Sequence, residues 1–139
     1  MSDRGGVKKK SEVIVFRKDV ADGESGFIPA RVKGNGTIQE IRVRFYPGQE
    51  LSLKVSPFLE RKGQVPEPLI SYPAGGNKFL SGDDDYFIFP VVSPVNNDDF
   101  IKIWYSNENG GGFVYTVVCD IVVDYFAGEK RVIGGVINA

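Results

Sequence analysis

Two short acidic runs, Gly82-Asp83-Asp84-Asp85 and Asn96-Asn97-Asp98-Asp99, hold the densest oxygen donors in this 139-residue chain. Calcium takes about six to eight oxygen ligands from carboxylates, amide carbonyls and backbone, and loops at the edge of a β-sandwich supply such ligands readily. Asp83, Asp84, Asp85, Asn97, Asp98 and Asp99 are therefore candidate ligands of a weak calcium site, although their spacing matches no EF-hand loop. The competing reading is local, because Asp and Asn open turns and strands by hydrogen-bonding their own backbone. A further pair, Asp120 and Asp124, lies four residues apart in a β-rich run, about 13 Å by strand rise. That is too far for the two carboxylates of a glycosidase, so cross-strand pairing with Arg42, Arg44 or Lys102 is the expected role.

Other chemistries are removed by composition. The chain has no histidine, which excludes Ser/His/Asp triads, Cys/His pairs and histidine zinc sites. Its single cysteine, Cys119, falls on an apolar strand face, where it reads as a small buried hydrophobe, and no internal disulfide can form. Gly110-Gly111-Gly112 is no phosphate loop, since no Lys-Ser/Thr follows. Seventeen basic against eighteen acidic residues leave a net charge of -1, with no field to attract nucleic acid or an anionic membrane. No apolar run has the length of a membrane helix and the N-terminus is charged, so the expectation is a chain made whole in a reducing cytoplasm. No enzyme activity is expected from these residues.

The element that must organise the rest is Phe113 to Phe126, FVYTVVCDIVVDYF. Its odd positions are all apolar or aromatic, and the even ones mix valine with Thr116, Asp120 and Asp124. Side chains alternate faces along a strand, so the odd face is expected in a core, from Phe113 through Tyr125, with a bend or bulge because the run is long. Further strands are expected over 12–18, around 27–29, over 37–45 and 51–55, near 69–72 and 78–80, and over 86–92, 100–105 and 131–137. Tyr46-Pro47-Gly48-Gln49 reads as a type II turn joining 37–45 and 51–55 into a hairpin. Asn107 to Gly112 reads as a flexible loop tip. Residues 1–11 read as a flexible basic arm ahead of a single domain over 12–139. Eight to ten short strands, no helix and regularly spaced turns predict an all-β, jelly-roll-like antiparallel sandwich.

The stretches Ser81 to Asp84, Ile103-Trp104-Tyr105-Ser106-Asn107, Asp120 to Tyr125 and Gly128 to Gly135 give residues 34–135 a texture that resembles a known group. It is similar to the small jelly-roll accessory proteins of tailed-phage virions, the capsid decoration or cement proteins. The resemblance implies a bacteriophage structural protein of the virion, often a homotrimer, that binds a capsid lattice without cofactors; it carries over no functional residue. Candidate partner-binding residues are Lys8, Lys9 and Lys10 in the arm, and Phe58, Leu59, Leu69 and Tyr72 in the proline-rich segment 57–85. That segment holds more apolar residues than a solvated loop keeps, so it either contacts a partner or folds back over its own sandwich. Two alternatives remain open. One is a carbohydrate-binding, lectin-like module using Tyr46, Tyr72, Trp104 and Tyr105, and the other is a carboxylate-dependent glycosidase.

Overall fold

The computed structural model describes residues 9–126, 131–133 and 136–138. Among the described residues ten strands follow one another: β1 Lys9–Val20, β2 Ser25–Arg31, β3 Gly36–Phe45, β4 Leu53–Glu60, β5 Glu67–Pro68, β6 Asp85–Val95, β7 Phe100–Asn107, β8 Tyr115–Phe126, β9 Arg131–Ile133 and β10 Val136–Asn138. One four-stranded sheet has the order β1-β8-β3-β6 and the other β2-β7-β4-β5, while β9 and β10 pair with each other. Every pairing is antiparallel. The pairs β1/β8, β2/β7, β3/β6 and β4/β5 are nested, each enclosing the next in sequence. The chain is thus one long antiparallel ribbon, closed at the β4–β5 connection and rolled into two facing sheets. That is the double Greek key of an eight-stranded jelly roll.

Alternation explains which face is buried. In β8 the positions Val117, Cys119, Ile121 and Val123 are fully buried, as are Ile41, Val43 and Phe45 of β3. Facing them across the sandwich are Leu53, Val55 and Leu59 of β4 with Ile101, Ile103 and Tyr105 of β7, in a single core cluster. Burial also governs the only cysteine: leaving water, with Asp120 nearby as a smaller cause, pushes the Cys119 thiol up to about 12. Asp120 itself pairs with Arg17 at 2.8 Å, and Asp124 accepts a hydrogen bond from Ser11 at 2.5 Å.

Several expectations change. The residues on either side of Tyr46-Pro47-Gly48-Gln49 form no hairpin: β3 and β4 lie in different sheets, and the connection crosses between them. Both strands carry the same inward alternation, which serves facing sheets as well as it serves neighbours. Asp120 finds Arg17 on β1, whereas Arg44 takes Asp84, Lys102 takes Glu60 and Arg42 takes Glu40 on its own strand. β8 starts at Tyr115, and Phe113 is exposed outside it; the register irregularity falls in β3, between Ile38 and Glu40, leaving β8 unbroken against β1. β1 begins at Lys9, so Lys9, Lys10 and Ser11 of the expected arm pair with β8, while residues 1–8 lie outside the described residues. Pro90 does not interrupt β6, because β6 is an edge strand and has only β3 to satisfy. The segment 69–80 forms no strand beyond a single bridge from Leu80 to Val55.

Ile121→Asp places an unpaired charge at a fully buried position, a cost comparable to the whole stability of a domain, about 5–15 kcal/mol. Loss of cooperative melting is expected, while Val122→Asp, one residue along on the opposite face, keeps a melting transition; circular dichroism on both variants checks this.

Candidate interaction surfaces

Strand direction sorts the loops. β1, β3 and β7 end, and β2, β4, β6 and β8 begin, at one end of the sandwich, which gathers the connections 21–24, 46–52, 69–84 and 108–114. The connections 32–35, 61–66 and 96–99 lie at the other end. β6 therefore separates the two acidic runs, Asp83–Asp85 before its first residue or at it and Asn96–Asp99 after its last. Eleven residues of strand put them roughly 30 Å apart. The structure does not bring the six calcium candidates together, and among the described residues no three His, Cys, Asp or Glu side chains cluster as metal ligands. Their carboxylates serve the loops. Asp83 accepts from the Gly48 N–H at 2.7 Å, Asp85 from the Asp83 N–H at 2.8 Å, and Asp84 pairs with Arg44 at 2.9 Å. At the far end Asp99 accepts from the Asn96 N–H at 2.9 Å, Asp98 lies 3.7 Å from Arg31, and the Asn97 N–H donates to Asn35 at 2.9 Å.

The first end is built around a buried amide. Asn107, fully buried, donates from Nδ2 to the carbonyls of Val20 at 2.9 Å and Phe113 at 3.1 Å, and its Oδ1 accepts from the Asn109 side chain at 2.8 Å. Its backbone bonds to Gly23 and Glu24. The Asp22 carboxylate accepts from the Gly110 and Gly112 N–H groups, both at 2.9 Å. The glycine-rich loop expected to be flexible is therefore tied on both sides. Gly110 and Gly112 adopt positive φ, 71° and 79°, which turns their N–H groups toward Asp22 at little steric cost. These bonds, that from Gly110 foremost, hold the Asp22 carboxyl below its ordinary value. Glu108 N–H to Ser52, and Tyr115 Oη to Gly48, join the same loop to the β3–β4 connection.

On this polar frame stand apolar residues that remain largely open to solvent, Phe113 stacked on Tyr115 among them. Leu51 is 59% exposed, and Phe113 and Val114 are each 61% exposed, with Tyr46 beside Arg44. Glu50 and Leu51 both hold positive φ, 50° and 65°. For a leucine that is a costly conformation, of the kind that collects at contact and switch regions. From sequence, Tyr46 was read as a sugar-stacking candidate and Phe113 as a core residue, and Leu51 and Val114 carried no functional expectation. The signal available was the pair of asparagines flanking Glu108, which marks a turn but does not show that Asn107 would be buried.

The residues expected to bind a partner divide differently. Leu59 is buried in the core, and Leu69 and Tyr72 pack against it, Tyr72 Oη lying 2.7 Å from Ser56 Oγ. Burial raises the Tyr72 phenol above its ordinary value. Phe79 lies against Trp104, with ring centres 6.3 Å apart. These residues of the proline-rich segment thus fold back over its own sandwich, while Val65 stays 80% exposed. Phe58 stays half-buried, edge-on to Phe27, and Lys10 is exposed on β1. Lys9 is described in its backbone pairing alone, and Lys8 lies outside the described residues. Of the four candidate sugar-stacking rings, Tyr105 is buried in the core, Tyr72 is half-buried against it, Trp104 is partly covered, and Tyr46 sits at the loop end. They form no common groove.

No family model and no curated protein sequence matches the chain. Among solved structures it is similar to VP2 of infectious bursal disease virus in a subviral particle, at 14% identity and a TM-score of 0.50, over 88% of this chain and 34% of that one. Structures of the Gx and Gt strains of the same virus match at 13% identity, with TM-scores of 0.42 and 0.40, over 88% of this chain and 33% of theirs. The chain spans about a third of the length of these structures. The first likeness is one of fold, and it agrees with the jelly-roll order read from the strand pairing.

Two outcomes test the polar frame. Asn107→Ala strands the buried Val20 carbonyl, while that of Phe113 still accepts from the Asn109 side chain at 2.8 Å, and should cost about 2 kcal/mol in chemical denaturation. Asp22 has a folded-state value below its unfolded one, so its contribution is complete above the ordinary value of 3.8 and is lost as the pH falls through the lower folded value. Protection of the Gly110 and Gly112 amides should fall over that acid window, and Asp22→Asn should remove the pH dependence.

Proposed function

We propose that this chain is a non-enzymatic structural subunit of a virion that binds or builds a particle lattice as a symmetric oligomer. In its finest form the proposal is a capsid decoration or cement role of the tailed-phage kind. The observation that carries it is the loop end, where exposed leucine, phenylalanine, valine and tyrosine stand on a hydrogen-bonded frame within a jelly roll. A protein that works by contact needs its apolar residues held in fixed positions, and the Asn107 and Asp22 bonds do this. The chain's outward chemistry is shape, apolar surface and exposed ion pairs. Support also comes from the fold likeness to VP2, whose structure is that of a subviral particle. The jelly roll serves lectins too, but the candidate stacking residues form no common platform here, which favours the assembly reading.

Native mass spectrometry of the purified chain, with sedimentation against particles of the virus that encodes it, checks this. A symmetric oligomer and co-sedimentation are expected, and Leu51→Asp combined with Phe113→Asp should weaken particle binding by at least roughly tenfold with melting unchanged. A strict monomer that leaves particles untouched would overturn the proposal.

A further inference from the structure

Four strands form the edges of the two sheets: β1 and β6 in one, β2 and β5 in the other. An unpaired edge is a template for another chain, and proteins blunt it with proline, charge or brevity. β6 carries Pro90 and Pro94, β2 carries Pro29, and β5 is two residues long and contains Pro68. β1 is twelve residues long and contains neither proline nor glycine. Its middle, Val13-Ile14-Val15-Phe16, is uncharged, and Val15 is 57% exposed. No described strand pairs with its outer side. Nor does β2 cover it, for an open cleft of about 300 Å³ lies between the two edges, bordered by Glu12, Ile14, Ala30 and Lys33.

We infer that β1 is the edge at which a second copy of this chain adds, β1 against β1 and antiparallel about a two-fold axis, to make one continuous eight-stranded sheet. Symmetry restricts the register. A two-fold axis perpendicular to the sheet keeps inner faces on one side, so paired residues must have the same parity. Centring on Val15 sets Val15 against Val15, Ile14 against Phe16, Val13 against Arg17, Glu12 against Lys18 and Ser11 against Asp19. Opposite charges then meet twice, and apolar residues meet at the centre. Moving the centre to Ile14 sets Lys10 against Lys18 and Glu12 against Phe16. Moving it to Phe16 sets Ile14 against Lys18 and Val13 against Asp19. Both lose the complementarity. Within one chain Lys18 meets Glu24 at 3.6 Å and lies over the Tyr105 ring at 5.8 Å, and it is half-exposed, so pairing with Glu12 of the second copy exchanges one weak surface ion pair for another.

This inference concerns self-association and stands whether or not the assembly is viral. Its test is disulfide trapping of the full chain. Residues directly opposite in a ladder lie about 4.5–5.5 Å apart between Cα atoms, inside the range a disulfide bridges. Val15→Cys should therefore give a covalent dimer under mild oxidation. Val13→Cys should not, since its own copy lies four residues along the ladder. Cys119, buried with its thiol pushed up to about 12, gives a silent background. Sedimentation equilibrium gives the second arm: Glu12→Lys should weaken the dimer roughly tenfold, and adding Lys18→Glu should restore it. A chain that is monomeric at every concentration, or Val13→Cys trapping as readily as Val15→Cys, would overturn the pairing. A symmetric oligomer that Val15→Cys fails to trap would overturn it too, while leaving the proposed virion role standing.

Discussion

The contact between the inward faces of β3 and β8 and those of β4 and β7 is the constraint on which the rest of the molecule depends. Apolar surface is removed from water only if the two sheets face each other, and each central strand contributes every second residue to that contact. The remaining features are consequences. Nested antiparallel pairing closes the ribbon without helices, and sheet-to-sheet crossings place four connections at one end. The central pairs leave four edges that must be paired, blunted or covered. Where the chain meets water, single charged residues alternate with the buried set, as in Asp120 with Arg17.

Polar groups make the ends specific. Asn107 is the extreme case, because burying an amide costs stability unless all of its bonds are made, and here its two N–H groups and its oxygen are all engaged. The result is a loop that sequence rules read as mobile but that geometry holds. It presents Phe113 and Val114 in fixed positions at the same end of the sandwich as the left-handed Leu51. A strained apolar residue left in water is an unfavourable feature in a chain that acts alone, and it becomes explicable in one that docks.

Much of the architecture was legible because alternation is a strong signal. The inward set of β8, the inward set of β3 and the turn-rich spacing all pointed to a two-layer antiparallel sandwich, and the jelly-roll order follows that reading. What was not legible depended on partners distant in sequence. The β3–β4 hairpin failed because alternation does not say whether the neighbour lies beside a strand or across the core. The Asp120 partner was sought on β3 and β7 but lies on β1, since strand order is not written in any one segment. Leu59, Leu69 and Tyr72 were chosen as outward contacts by composition, yet the same apolar character sends them inward when the segment has its own sheet to cover. Leu51 and Phe113 were missed because their importance lies in exposure, which periodicity at a strand end does not report.

The proposed function rests on surfaces rather than on a pocket, and its central claim is that this sandwich associates through β1 and through its loop end. Amide hydrogen exchange, followed residue by residue at low and high protein concentration with and without the target particle, tests that claim most directly. Exchange along β1 should slow as concentration rises, and exchange over residues 46–52 and 108–114 should slow on particle binding, with β2, β5 and β6 unchanged in both. Exchange independent of concentration and of particles, or new protection on proline-bearing β6 in place of β1, would contradict the account.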